Sequence, residues 1–302
     1  MKQVTRRSFL HSVAGGSACV YGILQAKAAP SPDPAEQVPL GDTGITMSRI
    51  GQGTGMRGGN RQSNHTRMGF AKLVNLFQHG YDHGITFFDL ADLYGSHVYF
   101  REALRSIPRD KVAILTKLWF RYDGEPANVS AALKRQSCDM AVQRFRHELS
   151  TDYIDVVLMH CLTTPAWEQE MEPYMEVLSE AKEKKQIRAL GVSCHNFDAL
   201  KTAVQCPWVE VILARINPKG VSMDAPVDEV VPVLRQAKAN GKAIIGMKIY
   251  GEGRLANMKA ECIQFAQNLG FIDSMTLGGE STEEMDESLR LIAKYPAAKL
   301  PA

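Results

Sequence analysis

The chain has 302 residues, 45% hydrophobic and 23% charged, globular proportions that exclude collagenous, coiled-coil and disordered classes. Its formal charge of +2 belongs to one end. Removing residues 1–28 takes away Lys2, Arg6, Arg7 and Lys27, four of the 35 basic residues and none of the 33 acids, so the remainder is slightly acidic and gives no support for nucleic-acid binding.

In chain order, the first predicted element is a leader, residues 1–28. Paired arginines (Arg6, Arg7), then Phe9 and Leu10, a weakly apolar stretch and an Ala-Lys-Ala ending at Ala28 follow the order of a cleavable export signal. The T-R-R-x-F-L context points to the twin-arginine route, hence to an exported, periplasmic protein carried by the twin-arginine machinery. An uncleaved basic arm is the alternative. The apolar stretch is too short and too rich in Gly and Ala for a stable membrane span. Residues 29–37, "APSPDPAEQ", read as a Pro-rich linker. Cys138, Cys161, Cys194, Cys206 and Cys262 follow without any C-x-x-C pair, so neither a disulfide framework nor a metal site is expected, although one disulfide stays open.

Residues 38–48, "VPLGDTGITMS", read as a small hairpin around a G-D-T-G turn. Short apolar runs then alternate with longer amphipathic ones. Strands are predicted at 48–54, 85–90, 112–119, 154–160, 187–193, 209–216, 242–249 and 273–278. Between them lie helical patterns such as "MEPYMEVLSEAKEKK" and "VDEVVPVLRQAKANG", with apolar residues recurring at three and four. Eight strand-then-helix units fit a single α/β domain, a (β/α)8 barrel of typically ~250 residues, here spanning 38–295 with a short tail at 296–302. A doubly wound sheet would want G-x-G-x-x-G at an early strand-to-helix turn. "GQGTGMRGG" near residue 51 opens instead into a polar loop, so it is weak as a phosphate cradle.

Active sites of such barrels collect at the carboxyl ends of the strands. Asp89 stands there after the second strand, with Tyr94 in the following turn. Lys117 lies late in the third strand and His160 closes the fourth. Ser193 and Asn196 follow the fifth strand, Arg215 and Asn217 close the sixth, and Lys248 ends the seventh. Each alone has a bland reading: Asp89 as a helix cap, Tyr94 as a packed aromatic, His160 as a satisfied core histidine, Lys117 as a snorkelling side chain. Ionisable groups at successive strand ends favour a site.

"FFDLADLYG", "ILTKLW", "VVLMH" and "IRALGVS", in that order, resemble the aldo-keto reductases, nicotinamide-dependent (β/α)8 oxidoreductases, over residues 38 to 293. The resemblance implies that Asp89, Tyr94, Lys117 and His160 are the catalytic set, with Asp92 a bystander. Tyr94 would be the general acid/base for reduction of an aldehyde or ketone, or oxidation of an alcohol. On this view Lys117 draws the phenol toward its ionised form, Asp89 holds Lys117 charged, and His160 orients the carbonyl. The cofactor would be NADP or NAD, held by Ser193, Asn196, Arg215, Asn217, Met247, Lys248, Gly251, Gly253, Gly278 and Glu287. The match is weaker here: Leu213 stands where the family commonly has Gln, and Met247 where it has a stacking Tyr. Glu280, Glu283 and Glu284 occupy positions where NADP users tend to carry Lys or Arg, and acids there would repel a 2′-phosphate. Tyr99, Trp119, Phe120 and Tyr122 are open between pocket lining and packing. Two rivals remain: a catalytically weak nucleotide-binding sensor or partner subunit, and a barrel isomerase without nicotinamide.

Overall fold

Strand alternation and turn chemistry place ten strands among the described residues of the computed structural model, which are residue 33 and residues 35–298. The predicted leader, the front of the linker and residues 299–302 lie outside them. Strands β1 (Gln37–Pro39) and β2 (Thr46–Ser48) pair antiparallel, as the G-D-T-G turn predicts. The remaining eight are β3 (Ile50–Gly53), β4 (Phe87–Asp89), β5 (Ala113–Leu118), β6 (Ile154–Leu162), β7 (Ile187–Cys194), β8 (Val211–Arg215), β9 (Ala243–Met247) and β10 (Ser274–Leu277). They form a closed parallel barrel in sequence order, with β10 pairing back onto β3. Each predicted strand is present, shorter than predicted by two or three residues except for β6 and β7, which run on to Leu162 and Cys194.

Two apolar layers follow from the period-two alternation of the strands. The inner one holds Phe87, Ala113, Leu115, Val156, Leu158, Ala189, Val211, Leu213, Ala243 and Ile245, with Leu40, Ile45 and Met47 of the hairpin packed among them. The hairpin therefore seals the barrel interior rather than decorating its surface. Gly51 in β3 has no side chain because the Phe87 ring fills that place: a Cβ would fall 2.1 Å from Phe87 Cδ1. The outer layer joins the opposite strand faces to the helices, including Leu73 and Phe77 of the helix Phe70–Asp82, Phe145 of Ala131–Leu149 and Leu289 of Thr282–Lys294.

Helix starts follow the sequence signals. Ser130 and Ser281 each accept a backbone N–H of the first turn, and Ser63 closes a capping box with Thr66. Strand β6 ends irregularly: its register with β7 shifts between Met159 and Leu162, and Cys161 takes φ +63°. Such a bulge re-aims the side chains beside it. The described cysteines are free thiols, four of them buried and Cys161 partly so. No helix among the described residues is long and apolar enough to cross a membrane.

Candidate active site

The polar residues at the strand ends are the next inward positions of the same alternation. Ala113 and Leu115 face the interior, so Lys117 follows them; Val156 and Leu158 bring His160, and Phe87 brings Asp89. Lys117, only 1% exposed, pairs with Asp89 Oδ1 and donates to the Leu90 carbonyl at 2.9 Å. The other carboxylate oxygen accepts Thr276 Oγ1 from β10 at 2.9 Å. A buried charge pair persists only with its remaining lone pairs and protons satisfied, and these contacts do that.

Tyr94 ends a 3₁₀ turn, Asp92–Tyr94, closed by Gly95 at φ +64°. A Cβ on Gly95 would lie 2.1 Å from the Arg61 carbonyl oxygen, so only glycine fits that turn. Its hydroxyl is 3.3 Å from His160 Nε2, with the rings edge-on and centroids 5.5 Å apart. Trp119 meets the other side of His160 edge-on at 5.5 Å, and Lys117 Nζ stands 5.0 Å from the Tyr94 ring centroid.

Burial pushes the Tyr94 phenol well above its ordinary value, and the Asp89 charge pushes it the same way. The sequence-based expectation that Lys117 draws the phenol toward its ionised form is therefore corrected. The ammonium's charge is met at close range by Asp89, and exclusion of water decides the balance. Burial also pulls Lys117 down, with Asp89 opposing it. His160 is held well below its ordinary value by burial, then by Lys117, His195 and Lys248, and is a neutral imidazole at pH 7. The site thus presents a protonated phenol against a neutral ring.

Two features of this seat escaped the sequence reading. Gly55 and Gly58, in the run judged a weak phosphate cradle, lie flat on the Tyr94 ring. A Cβ on Gly55 would be 2.6 Å from Tyr94 Cζ, and one on Gly58 would be 2.4 Å from Cδ1. Their spacing in the loop after β3 was the available signal. Gly58→Ala is expected to displace the ring and lower turnover about tenfold with the fold retained; unchanged kcat beside an unchanged circular-dichroism spectrum would show that the ring tolerates the crowding. Second, Asp92 anchors the turn. It is 1% exposed, takes both Nη atoms of Arg144 at 2.7 and 2.8 Å, and binds Arg61 Nη1 at 2.7 Å. It stands outside the proton path but fixes the turn that carries Tyr94.

A cleft of about 620 Å³ opens at Asp89 and Tyr94. Met247, Lys248, Gly253 and Gly278 line it, together with Arg57, Arg254 and Lys259, which the sequence reading did not place. Lys117 and His160 lie behind Asp89 and Tyr94. The other cofactor candidates are engaged elsewhere. Ser193 Oγ accepts the Cys161 N–H at 3.0 Å, and Asn196 caps the helix Phe197–Gln205 through the Ala199 N–H. Asn217 is fully buried, donating to the Val221 and Lys248 carbonyls. Arg215 pairs with Asp224 at 3.3 Å, and Leu213, its neighbour on the same strand face, is part of the barrel interior. Gly251, at φ +56°, shapes the turn after Lys248, and Glu287 reaches the cleft only through Lys259, 2.6 Å away. Glu280 and Glu284 line the cleft, and Glu283 does not. Of the four aromatics, Phe120 is core and Tyr122 is half-exposed, while Tyr99 packs against Phe70 with ring centroids 5.1 Å apart. Trp119 alone adjoins the catalytic candidates.

The family model "Aldo/keto reductase family" matches residues 49–295, the barrel without its hairpin. The chain belongs to the aldo/keto reductase family. Members are oxidoreductases that use nicotinamide cofactors. Among curated relatives, the NADH-specific methylglyoxal reductase of Escherichia coli is 27% identical over 215 residues, covering 66% of this chain and 64% of that protein. The versiconal hemiacetal acetate reductase of Aspergillus parasiticus is 30% identical over 198 residues, covering 59% of this chain and 57% of its own length. The alignments thus span less than two thirds of these relatives. Among solved structures, the holo form of an aldo-keto reductase from Bacillus halodurans superposes with a TM-score of 0.66 at 17% identity, covering 88% of this chain and 93% of that one. One from Pseudomonas aeruginosa reaches 0.67 at 21% identity, covering 86% and 94%. At these identities the likeness is one of fold.

Proposed function

We propose that this member of the family is an exported reductase that passes hydride from a nicotinamide dinucleotide to a small aldehyde or ketone, with Tyr94 as the proton donor. The observation that carries the reading is the Tyr94 hydroxyl, held 3.3 Å from His160 at the mouth of the cleft. Negative charge grows on a carbonyl oxygen as hydride arrives, and a proton must meet it. A phenol with a raised pKa is loaded with that proton across the neutral range. Lys117, paired with Asp89, stands 5.0 Å from the ring centroid and forms the floor of the site beneath the phenol. His160 Nδ1 is buried without a partner among the described residues, while Nε2 faces the Tyr94 hydroxyl. The neutral ring can therefore orient a second oxygen without competing for the proton.

A dinucleotide fits the cleft by volume and by lining. Cavities of about 300–1,000 Å³ hold ligands of this kind. Bare backbone at Gly53 and Gly278–Gly279 borders it, and a Cβ on Gly53 would fall 2.6 Å from Thr276 Oγ1. When bound, the nicotinamide supplies the hydride. Lys248, Arg254 and Lys259, on the cleft's lining, would be the groups to meet its phosphates.

The lining is balanced, with Arg57, Lys248, Arg254 and Lys259 against Asp89, Glu252, Glu280 and Glu284. Lys248 and Arg254 already pair with Glu252, and Lys259 with Glu287. Glu280 and Glu284 on this lining would repel an added 2′-phosphate, so NADH is expected to bind at least as tightly as NADPH. Titrating both against intrinsic protein fluorescence decides this; a tenfold preference for NADPH would assign Arg57 or Arg254 to the 2′-phosphate. Methylglyoxal, the substrate in the name of the Escherichia coli relative, is the first carbonyl to try. Turnover of no carbonyl by protein that binds the dinucleotide would return the sensor reading.

Export rests on the Arg6–Arg7 leader. Replacing both with Lys is expected to leave the protein in the cytoplasm, unprocessed, because the folded-protein route reads the pair. That route would let the barrel close around its dinucleotide before crossing. Immunoblotting of fractionated cells checks it, and undiminished export of the Lys–Lys variant would exclude the route.

A further inference from the structure

The site above uses one mouth of the barrel and leaves a cluster on its wall unexplained. His79, in the last turn of the helix Phe70–Asp82, His83, the residue that caps it, and Asp286, in the helix Thr282–Lys294, offer ligand atoms that all lie within 4.8 Å of one another. We infer that these three residues form a site for a divalent transition metal such as Zn2+, one that clips the first helix of the barrel to the last.

Helical geometry supplies the first reason. Residues four apart share one helix face, so the histidines at 79 and 83 lie side by side, with ring centroids 4.0 Å apart and planes tilted by 30°. The second is the tautomer. His83 Nδ1 is 2.8 Å from the His79 carbonyl, which can only accept, so Nδ1 carries the proton and Nε2 keeps its lone pair. Metal-binding imidazoles are commonly held this way, the second ring nitrogen donating to a backbone carbonyl. The third is the carboxylate. Asp286 Oδ1 is 2.7 Å from His79 Nε2, a hydrogen bond whose proton an ion would displace, the two atoms parting to about the 3.3 Å of a tetrahedral ligand pair. Bonds of about 2.0–2.2 Å to nitrogen and oxygen limit ligand pairs to about 4 Å, so His83, which is exposed, needs only a small side-chain rotation.

The backbones beneath are set by close packing rather than by a loop. Gly80 lies next to His79 and Met285 next to Asp286, and a Cβ on Gly80 would be 3.2 Å from Met285 Sδ. The donor set, two imidazoles and one carboxylate with a position left for water, suits Zn2+ and also Cu2+ or Ni2+; it does not suit Ca2+ or Mg2+, which prefer all-oxygen shells. These helices follow β3 and β10, the strands that meet where the barrel closes. An ion here would tie the ends of the barrel together, and binding to the folded state alone stabilises it by mass action.

The test is calorimetric titration of the full chain, without an affinity tag, using ZnCl2, CuCl2 and NiCl2. One equivalent is expected to bind, and a hundredfold excess of Zn2+ over Kd is expected to raise Tm by roughly 5 °C. His83→Ala and Asp286→Asn are each expected to weaken binding at least tenfold. His83 makes no hydrogen bond to Asp286, so a mere His79–Asp286 ion pair would be indifferent to the first variant. Absence of binding for all three ions at 1 mM would overturn the proposal. So would undiminished binding by folded His83→Ala, which would place the ion elsewhere, for instance at the Cys161–His195 contact of 3.4 Å.

Discussion

Tyr94→Phe is expected to cut reduction of any accepted carbonyl by at least about 10², the range for losing a general acid, while dinucleotide affinity stays nearly unchanged. The substitution removes one oxygen and leaves the ring between Gly55, Gly58 and His160, so the fold and the cleft survive. The hydroxyl is the only group lost, and it is the group aimed at His160. Because burial and Asp89 raise the phenol above its ordinary value of 10.0, the proton is present throughout the neutral and mildly alkaline range. The wild-type reduction rate should therefore show no alkaline limb below about pH 10 that disappears in the Phe variant. Steady-state kcat across pH, beside fluorescence titration of the cofactor, checks both statements. A Phe variant with turnover close to wild type would remove Tyr94 from the chemistry and move the proton donor to His160.

Lys117→Met should damage stability as well as rate. Removing the ammonium leaves Asp89 buried, with Thr276 Oγ1 as the only side-chain partner that remains among the described residues. Breaking a buried charge pair from one side typically costs about 3–5 kcal/mol, a large share of the ~5–15 kcal/mol that holds a domain together. Urea unfolding would read this as a lower midpoint. The double variant Asp89→Asn/Lys117→Met should regain much of that stability, because no charge is then stranded, yet remain as inactive as the single variant. A single variant within 1 kcal/mol of wild type would mean that water reaches Asp89 and that the pair is less sealed than its 1% and 8% side-chain exposures imply.

The barrel was legible in the sequence because its signals are local and repeated: eight buried runs, each separated by an amphipathic one. The placement of Asp89, Lys117 and His160 was legible for the same reason, since alternation along a strand carries the inward face through to its end. What sequence could not carry was contact between distant loops. Gly55 and Gly58 show as turn residues in a linear reading, and only the fold lays them on Tyr94. Asn196 and Asn217 have the chemistry to hold a carboxamide, but a helix N-terminus and a loop claimed them. The direction of the Tyr94 shift was not legible because it turns on how completely the fold excludes water from the phenol and on how near Asp89 comes to it. Arg254 and Lys259 lie beyond the "GEG" turn, in a stretch with no motif, and enter the cleft only through its shape.

The contact of Gly55, Gly58 and the Arg61 carbonyl with the Tyr94 turn bears on how the molecule can diverge. The loop after β3 cannot accept a side chain at these points without moving the phenol, and the Asp92–Arg61–Arg144 clamp ties both to the helix Ala131–Leu149. Substitutions in these three segments are therefore epistatic: a change tolerated in one depends on the state of the others, and a drifting lineage would have to alter them together. The segment beginning at Trp119 carries no such constraint from Tyr94 and borders His160 from the other side. New substrate preference is accordingly most evolvable there, where residues can vary one at a time.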